Sequence, residues 1–278
     1  MARANREQID FWTGNQGQKW LRLQPDIDRM MAPHLEAGLH ALGEIGGHHC
    51  LDVGCGAGTS SMVLAEKVGA TGSVTGIDVS TPLLCKAKER AAERGNMCFI
   101  EADAQDHPFL PETFDILFSR FGIMFFQDPA IALGNLRHGC RQGAKLTAIT
   151  WREPRENPWV MLPVTTAREF VTLPSRPAPD APGQFQWADP DRVRGWLEES
   201  GWSAISVDPL DITLTFHAAP AEVSHFLLQM GPASQLIADA GGDLKERAEA
   251  RLTDTLLIHY QNGAVHLESA CWAVTAAN

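Results

Sequence analysis

The 278-residue sequence is short of cations: 23 Lys and Arg stand against 34 Asp and Glu, for a formal net charge of −11. Nucleic-acid binding draws on clustered Lys and Arg, so a polyanionic partner is disfavoured, although a local basic site remains open. No apolar run approaches the 18 residues of a membrane span, and Met1-Ala2-Arg3-Ala4-Asn5-Arg6-Glu7 shows no apolar signal region. The expectation is a cytoplasmic protein with no membrane span. The six cysteines at 50, 55, 85, 98, 140 and 271 include no C-x-x-C pair and no short metal spacing, so free thiols and no metal are expected. His48-His49-Cys50 does not change that, because neighbours entering a strand point to opposite faces. Neither internal repeats nor low-complexity segments interrupt the chain, and 44% hydrophobic residues suffice for a large core.

What is present centres on Cys50-Leu51-Asp52-Val53-Gly54-Cys55-Gly56-Ala57-Gly58-Thr59-Ser60. Leu51 and Val53 read as a buried parallel strand and the glycines as a loop that brings backbone N–H groups close to a ligand. Thr59 or Ser60 is the expected N-cap of a helix through Val63, Leu64 and Val68. Ser73-Val74-Thr75-Gly76-Ile77-Asp78 then makes a second strand. An acid roughly 20 residues past a glycine loop is placed for both hydroxyls of a ribose. Two features argue against a nicotinamide dinucleotide. Thr59 stands where that pattern wants its third glycine, and Asp52, just before the loop, would repel a pyrophosphate but suit an ammonium.

These residues resemble the class I S-adenosylmethionine-dependent methyltransferases. The family's glycine motif matches Asp52, Gly54, Gly56 and Gly58; its ribose acid matches Asp78; its acidic motif after the third strand matches Ala102-Asp103-Ala104; its fourth-strand motif matches Phe114-Asp115-Ile116-Leu117-Phe118-Ser119. The match is strong over residues 45 to 151, and ubiquinone/menaquinone-methyltransferase-like small-molecule enzymes look nearest. The resemblance implies S-adenosylmethionine as cofactor and S-adenosylhomocysteine as product. It also implies a cofactor set of Trp20, Asp52, Gly54, Gly56, Gly58, Asp78, Val79, Asp103, Ala104 and Ser119.

Alternating strands and helices from Cys50 to Trp151 predict a parallel sheet with right-handed crossovers. With the resemblance, the expected fold is α/β, a Rossmann-like doubly wound seven-stranded sheet, mostly parallel with an antiparallel last strand. An N-terminal helical lid (1–44, broken at Gly14 and Gly17) precedes the core (45–152). A Pro-rich cap insertion (153–188) carries a short helix around 163–173. A core helix and two strand segments, 203–207 and 211–216, fill 189–216, with a bend implied by Pro209. A helical cap insertion (217–264) and the last strand (265–278) complete the chain. The leader is open to two readings, a lid touching the cofactor through Trp20 or a helix packed on the sheet edge. The insertions likewise read as a roof over the methyl group, or as added surface or a dimer contact, leaving monomer and homodimer both open.

Ligands in open α/β sheets bind past the carboxyl ends of the strands. Candidate acceptor contacts are therefore Arg120, Phe121, Met124, Trp151 and Arg152, with His217 as a candidate general base. Arg120 and Arg152 beside aromatics suit a carboxylate or phosphate, unless they form ion pairs with Glu153 or Asp128. The Asn/Asp-Pro-Pro-aromatic motif of base-modifying methyltransferases is replaced by Ser119-Arg120-Phe121-Gly122. The expected activity is methyl transfer to O, N, S or C of a small, partly apolar, optionally anionic metabolite. A protein- or RNA-modifying methyltransferase, a nucleotide-binding oxidoreductase and a non-catalytic cofactor binder are the alternatives.

Overall fold

The computed structural model describes residues 5–172, 175, 178–231, 234–239 and 241–278. Part of the Pro-rich run, residues 173–174 and 176–177, lies outside them. Two leading helices, α1 (Arg6–Thr13) and α2 (Asn15–Leu42), precede β1 (His49–Val53), α3 (Thr59–Val68), β2 (Ser73–Asp78), α4 (Thr81–Arg90), β3 (Met97–Glu101), β4 (Phe114–Arg120), α5 (Pro129–Gly139) and β5 (Cys140–Trp151). Then come α6 (Pro158–Arg168), α7 (Pro190–Glu199), β6 (Ser203–Phe216), α8 (Pro220–Gln229), α9 (Ser234–Asp239), α10 (Gly242–Leu256), β7 (Tyr260–Gln261) and β8 (Ala264–Ala277).

The sheet runs β3-β2-β1-β4-β5-β8-β6, with β7 added to β8. Strands β1 to β5 pair in parallel, and the C-terminal strands are antiparallel. The sheet therefore has the seven expected strands on its main path and one short eighth. Strand order reverses between β1 and β4, so the loop after β1 opens into the crevice where such sheets hold ligands. Leu51, Leu117 and Leu146 are fully buried at this centre. On one face Leu35, Leu39, Leu42, Leu64, Val68 and Phe118 form a continuous apolar cluster.

The chain divides into two compact units. One comprises Met1–Trp151, Pro179–Pro209 and Trp272–Asn278; the other comprises Arg152–Ala178 and Leu210–Cys271. The second unit consists of α6, α8, α9 and α10, strand β7, the second half of β6 and the first half of β8. Its boundaries differ from those expected at 153–188 and 217–264, because β6 and β8 are 14-residue strands whose ends carry the added helices.

Three local expectations are corrected. Strand β6 runs unbroken through Pro209 instead of forming two segments, and the unit boundary falls at that proline. The leader breaks at Gly14 alone, while Gly17 lies inside α2. A Cβ on Gly17 would stand 2.9 Å from Ser80 Oγ and 3.1 Å from Pro82 Cγ, so its role is close approach, not a break. Helix α3 is capped by Gly58 at φ 82, with no side-chain cap, because the nearby serine hydroxyls are engaged elsewhere. By contrast, the Asp128 carboxylate caps α5 as its sequence suggests, accepting from Ile131 N at 3.0 Å.

Candidate active site

The glycine loop turns through Gly54, Gly56 and Gly58, all at positive φ. Gly54 is the position with least tolerance: a Cβ there would lie 2.5 Å from the Cα of Gly122 after β4. Two chain crossings meet backbone to backbone at the switch point, which only glycine permits. Asp78, at the end of β2, is pinned from both sides. Its Oδ2 accepts from Gly56 N and its Oδ1 from Ser80 N, each at 2.8 Å. A carboxylate has about four acceptor positions, so capacity remains for a ribose hydroxyl. Burial raises its pKa, and the Ser80 and Gly56 N–H groups oppose that rise.

Asp52 lies beneath the loop and is fully buried. Its Oδ2 accepts the hydroxyls of Ser60 at 2.6 Å and Ser61 at 2.5 Å. Its Oδ1 is also buried and has no hydrogen-bond partner among the described residues. Such an oxygen calls for a ligand N–H or a bridging water. Burial pushes the Asp52 pKa up, against the two serine hydroxyls and the Arg120 charge. An ammonium brought to this oxygen would restore the charged form. A ribose acid on one side of the loop and an unsatisfied carboxylate on the other fit an adenosyl amino acid. Asp103 is buried and accepts Gln105 N at 3.0 Å through Oδ1. Asn135 Nδ2 holds the Ala104 carbonyl at 3.0 Å, so the turn after β3 is fixed by side chains.

The Ser119 side chain is engaged within the protein. It is fully buried; its hydroxyl donates to Val53 O at 2.8 Å and accepts from Ile123 N at 3.0 Å. The residue locks β1 to the 3₁₀ turn Ile123–Phe125 and so positions the loop. Met124 and Trp151, expected as acceptor contacts, are 1% and 2% exposed. The Trp151 N–H reaches Met124 Sδ at 3.5 Å. Its ring stacks on Phe121 at 4.1 Å and 3°. His34, from α2, meets both rings edge-on at 5.2 Å. Burial, with a smaller contribution from Arg120, lowers the pKa of His34 to about 3, so it stays neutral. Phe121 is half-buried and holds φ 63, a conformation that costs a phenylalanine about 1–3 kcal/mol.

Arg120 is half-buried, donates to Met31 O on α2 at 3.4 Å, and forms no ion pair among the described residues. Burial lowers its pKa, and the fields of Asp28 and Asp52 oppose that. Arg152 and His217 belong to the second unit. Arg152 pairs with Glu156 and, at 2.8 Å, with Asp211; these differ from the partners its neighbourhood in sequence suggested. His217 is exposed just past β6. Trp20 is half-buried on α2, edge-on to Trp12 at 5.5 Å, and Trp12 meets Phe125 at 5.4 Å. Val79, also half-buried, follows Asp78.

Residues 50–143 match the sequence pattern of a family described as a methyltransferase domain. The demethylmenaquinone methyltransferase of Staphylococcus aureus strain MRSA252 is 30% identical over 155 residues, 55% of this chain. The match spans 64% of the length of that relative. Among solved structures, the YcgJ protein of Bacillus subtilis superposes with a TM-score of 0.58 at 15% identity, over 88% of this chain and 97% of that one. Phosphoethanolamine N-methyltransferase 2 of Haemonchus contortus, in complex with S-adenosyl-L-methionine, gives 0.58 at 17% identity, over 96% and 59%. At these identities the two structures carry the fold. No helix among the described residues is long and apolar enough to cross a membrane.

Proposed function

We propose that the chain is a methyltransferase that moves the methyl group of S-adenosylmethionine to an O, N, S or C atom of a small, partly apolar acceptor that is anionic or becomes so. The observation that carries the cofactor half is the pairing of a pinned Asp78 with the unsatisfied Asp52 Oδ1 across one glycine loop. Bound cofactor supplies an electrophilic methyl on a cationic sulfur. The chain's own task is then to hold donor and acceptor in line and exclude water. Asp78 fixes the ribose, Asp52 favours the ammonium end, and the turn at Asp103 and Ala104 receives the adenine.

For the acceptor, support comes from Arg120, a guanidinium without an ion pair among the described residues, next in sequence to the half-buried Phe121. A cation beside an aromatic face suits an acidic oxygen on a flat or apolar body. The demethylmenaquinone methyltransferases among its relatives favour such a body over a macromolecule. Arg152, after β5, and His217, after β6, are proposed as further acceptor groups.

Mass spectrometry for carried-over S-adenosylhomocysteine, followed by a labelled-methyl screen of metabolite pools, tests the assignment. Label entering protein or RNA in preference to small molecules would reject the acceptor class. Arg120→Ala should raise acceptor KM about ten-fold or more, as expected for a lost charge-assisted hydrogen bond, and leave cofactor affinity unchanged. Equal loss of both would make Arg120 a structural residue.

A further inference from the structure

Helix α2 is tied to the glycine loop by a polar chain that crosses three elements. The Asp28 carboxylate on α2 accepts the Thr59 hydroxyl at 2.8 and 2.9 Å and the Gln24 amide at 2.7 Å. Thr59, the first residue of α3, accepts in turn from Arg90 Nη1 at 3.0 Å. The same nitrogen of Arg90, at the end of α4, donates to the loop carbonyl of Ala57 at 2.8 Å and lies 3.9 Å from Asp28. A second tie sits at the other end of the leader. Ser80 Oγ donates to the Trp12 carbonyl at 2.8 Å, and Gly17 fits against Ser80 and Pro82.

Together with the Asp78 contacts these bonds close a ring. It passes from Trp12 to Ser80, to Asp78, to Gly56 and Ala57, through Arg90 and Thr59, and back to the leader at Asp28. An isolated surface ion pair contributes little. This arrangement differs because Asp28 and Arg90 are only 23% and 31% exposed and one bond ends on the loop backbone. Linked donors and acceptors polarise one another, so loss of one member weakens the rest. The chain also accounts for Thr59 in place of the dinucleotide pattern's third glycine, since its hydroxyl is the pivot of the clasp.

We propose that Asp28 is a positioning residue that straps the leader across the cofactor loop and so sets how fast the cofactor exchanges. Asp28 acts through Thr59 and Arg90 on the loop, and it bonds to neither Asp52 nor Asp78. The proposal rests on the cofactor assignment and is independent of the acceptor.

The test uses the whole chain with S-adenosylhomocysteine as probe. Tryptophan emission, which includes Trp12 and Trp20 of the leader, reports dissociation in a stopped-flow displacement. Hydrogen exchange of the leader amides is followed without ligand. Asp28→Asn and Thr59→Val should each speed dissociation about ten-fold or more, in keeping with loss of a charge-assisted hydrogen bond, and should raise exchange across α2. Thr59→Ser, which keeps the hydroxyl, should stay within about two-fold of wild type, and the double variant should be no worse than the single ones, as coupled groups require. Dissociation rates unchanged in both variants, or exchange raised equally throughout β1–β5, would overturn the proposal. A wild-type chain that binds no S-adenosylhomocysteine would reject the cofactor assignment, and the exchange comparison would still decide whether Asp28 straps the leader.

Discussion

Asp52 in the first unit and Asn157 in the second are both fully buried, yet they use their polar atoms in opposite ways. Asn157 Nδ2 donates to the carbonyls of Glu153 and Ala270, and its Oδ1 accepts from Ala270 N and Trp159 Nε1. All four hydrogen-bonding positions are filled by protein, tying the start of α6 to β8. Asp52 fills one oxygen with two serine hydroxyls and leaves the other without a donor among the described residues. A buried polar group left unmade costs about 1–3 kcal/mol. A satisfied group therefore marks architecture, and an unsatisfied one that the fold retains marks a place for a ligand. The two residues differ by this measure: Asp52 keeps an open polar position and Asn157 closes its own.

The largest effect should come from the acid that the ligand would complete. Asp78→Ala removes the acceptor for two ribose hydroxyls and releases Gly56 N; the loss of two charge-assisted bonds corresponds to at least about 100-fold weaker S-adenosylhomocysteine binding. Calorimetry checks this, and retained micromolar affinity would break the comparison at its stronger end. Next, Asn157→Ala leaves several groups of α6 and β8 unpaired and should destabilise the second unit by about 3 kcal/mol. Denaturant unfolding reads the loss, while cofactor affinity should stay within about two-fold, since no cofactor group is touched. If affinity fell as far as stability, filled and unfilled polar groups would not separate architecture from site.

Much of the cofactor edge is legible in sequence because it is local. A strand, a glycine turn and an acid at the end of the next strand lie within one βα unit, and their backbone geometry follows from residue type. Orientation is not legible in the same way. Met124 and Trp151 stand past strand ends, where acceptor contacts are expected, but their side chains turn into the core. Ser119 turns its hydroxyl to Val53. Asp28 offered no signal at all: on an amphipathic helix it reads as part of a solvated face, and its partner Thr59 is 31 residues away. His34 beside Met30, Met31 and Leu35 likewise reads as ordinary core. The continuity of β6 escaped because Pro209 argues for a break, whereas the strand continues through it.

The smallest effect is the most specific to the comparison. In Asp52→Asn the serine contacts are kept, but the position no longer titrates. In the wild-type chain burial raises the folded-state pKa of Asp52 above its unfolded value. Its protonated form therefore favours folding below the ordinary carboxylate range, and that contribution is lost as pH rises through the raised value. The ligand-free variant should accordingly match wild type in Tm in acid and exceed it increasingly as pH rises toward neutral. Cofactor binding should move the other way. An ammonium favours the ionised carboxylate, so wild-type affinity for S-adenosylhomocysteine should increase with pH across the same interval, whereas the Asn variant should show no such rise and bind about ten-fold more weakly near neutrality. A Tm difference independent of pH would mean that Asp52 is as satisfied as Asn157, and that the unfilled oxygen is not where the ligand acts.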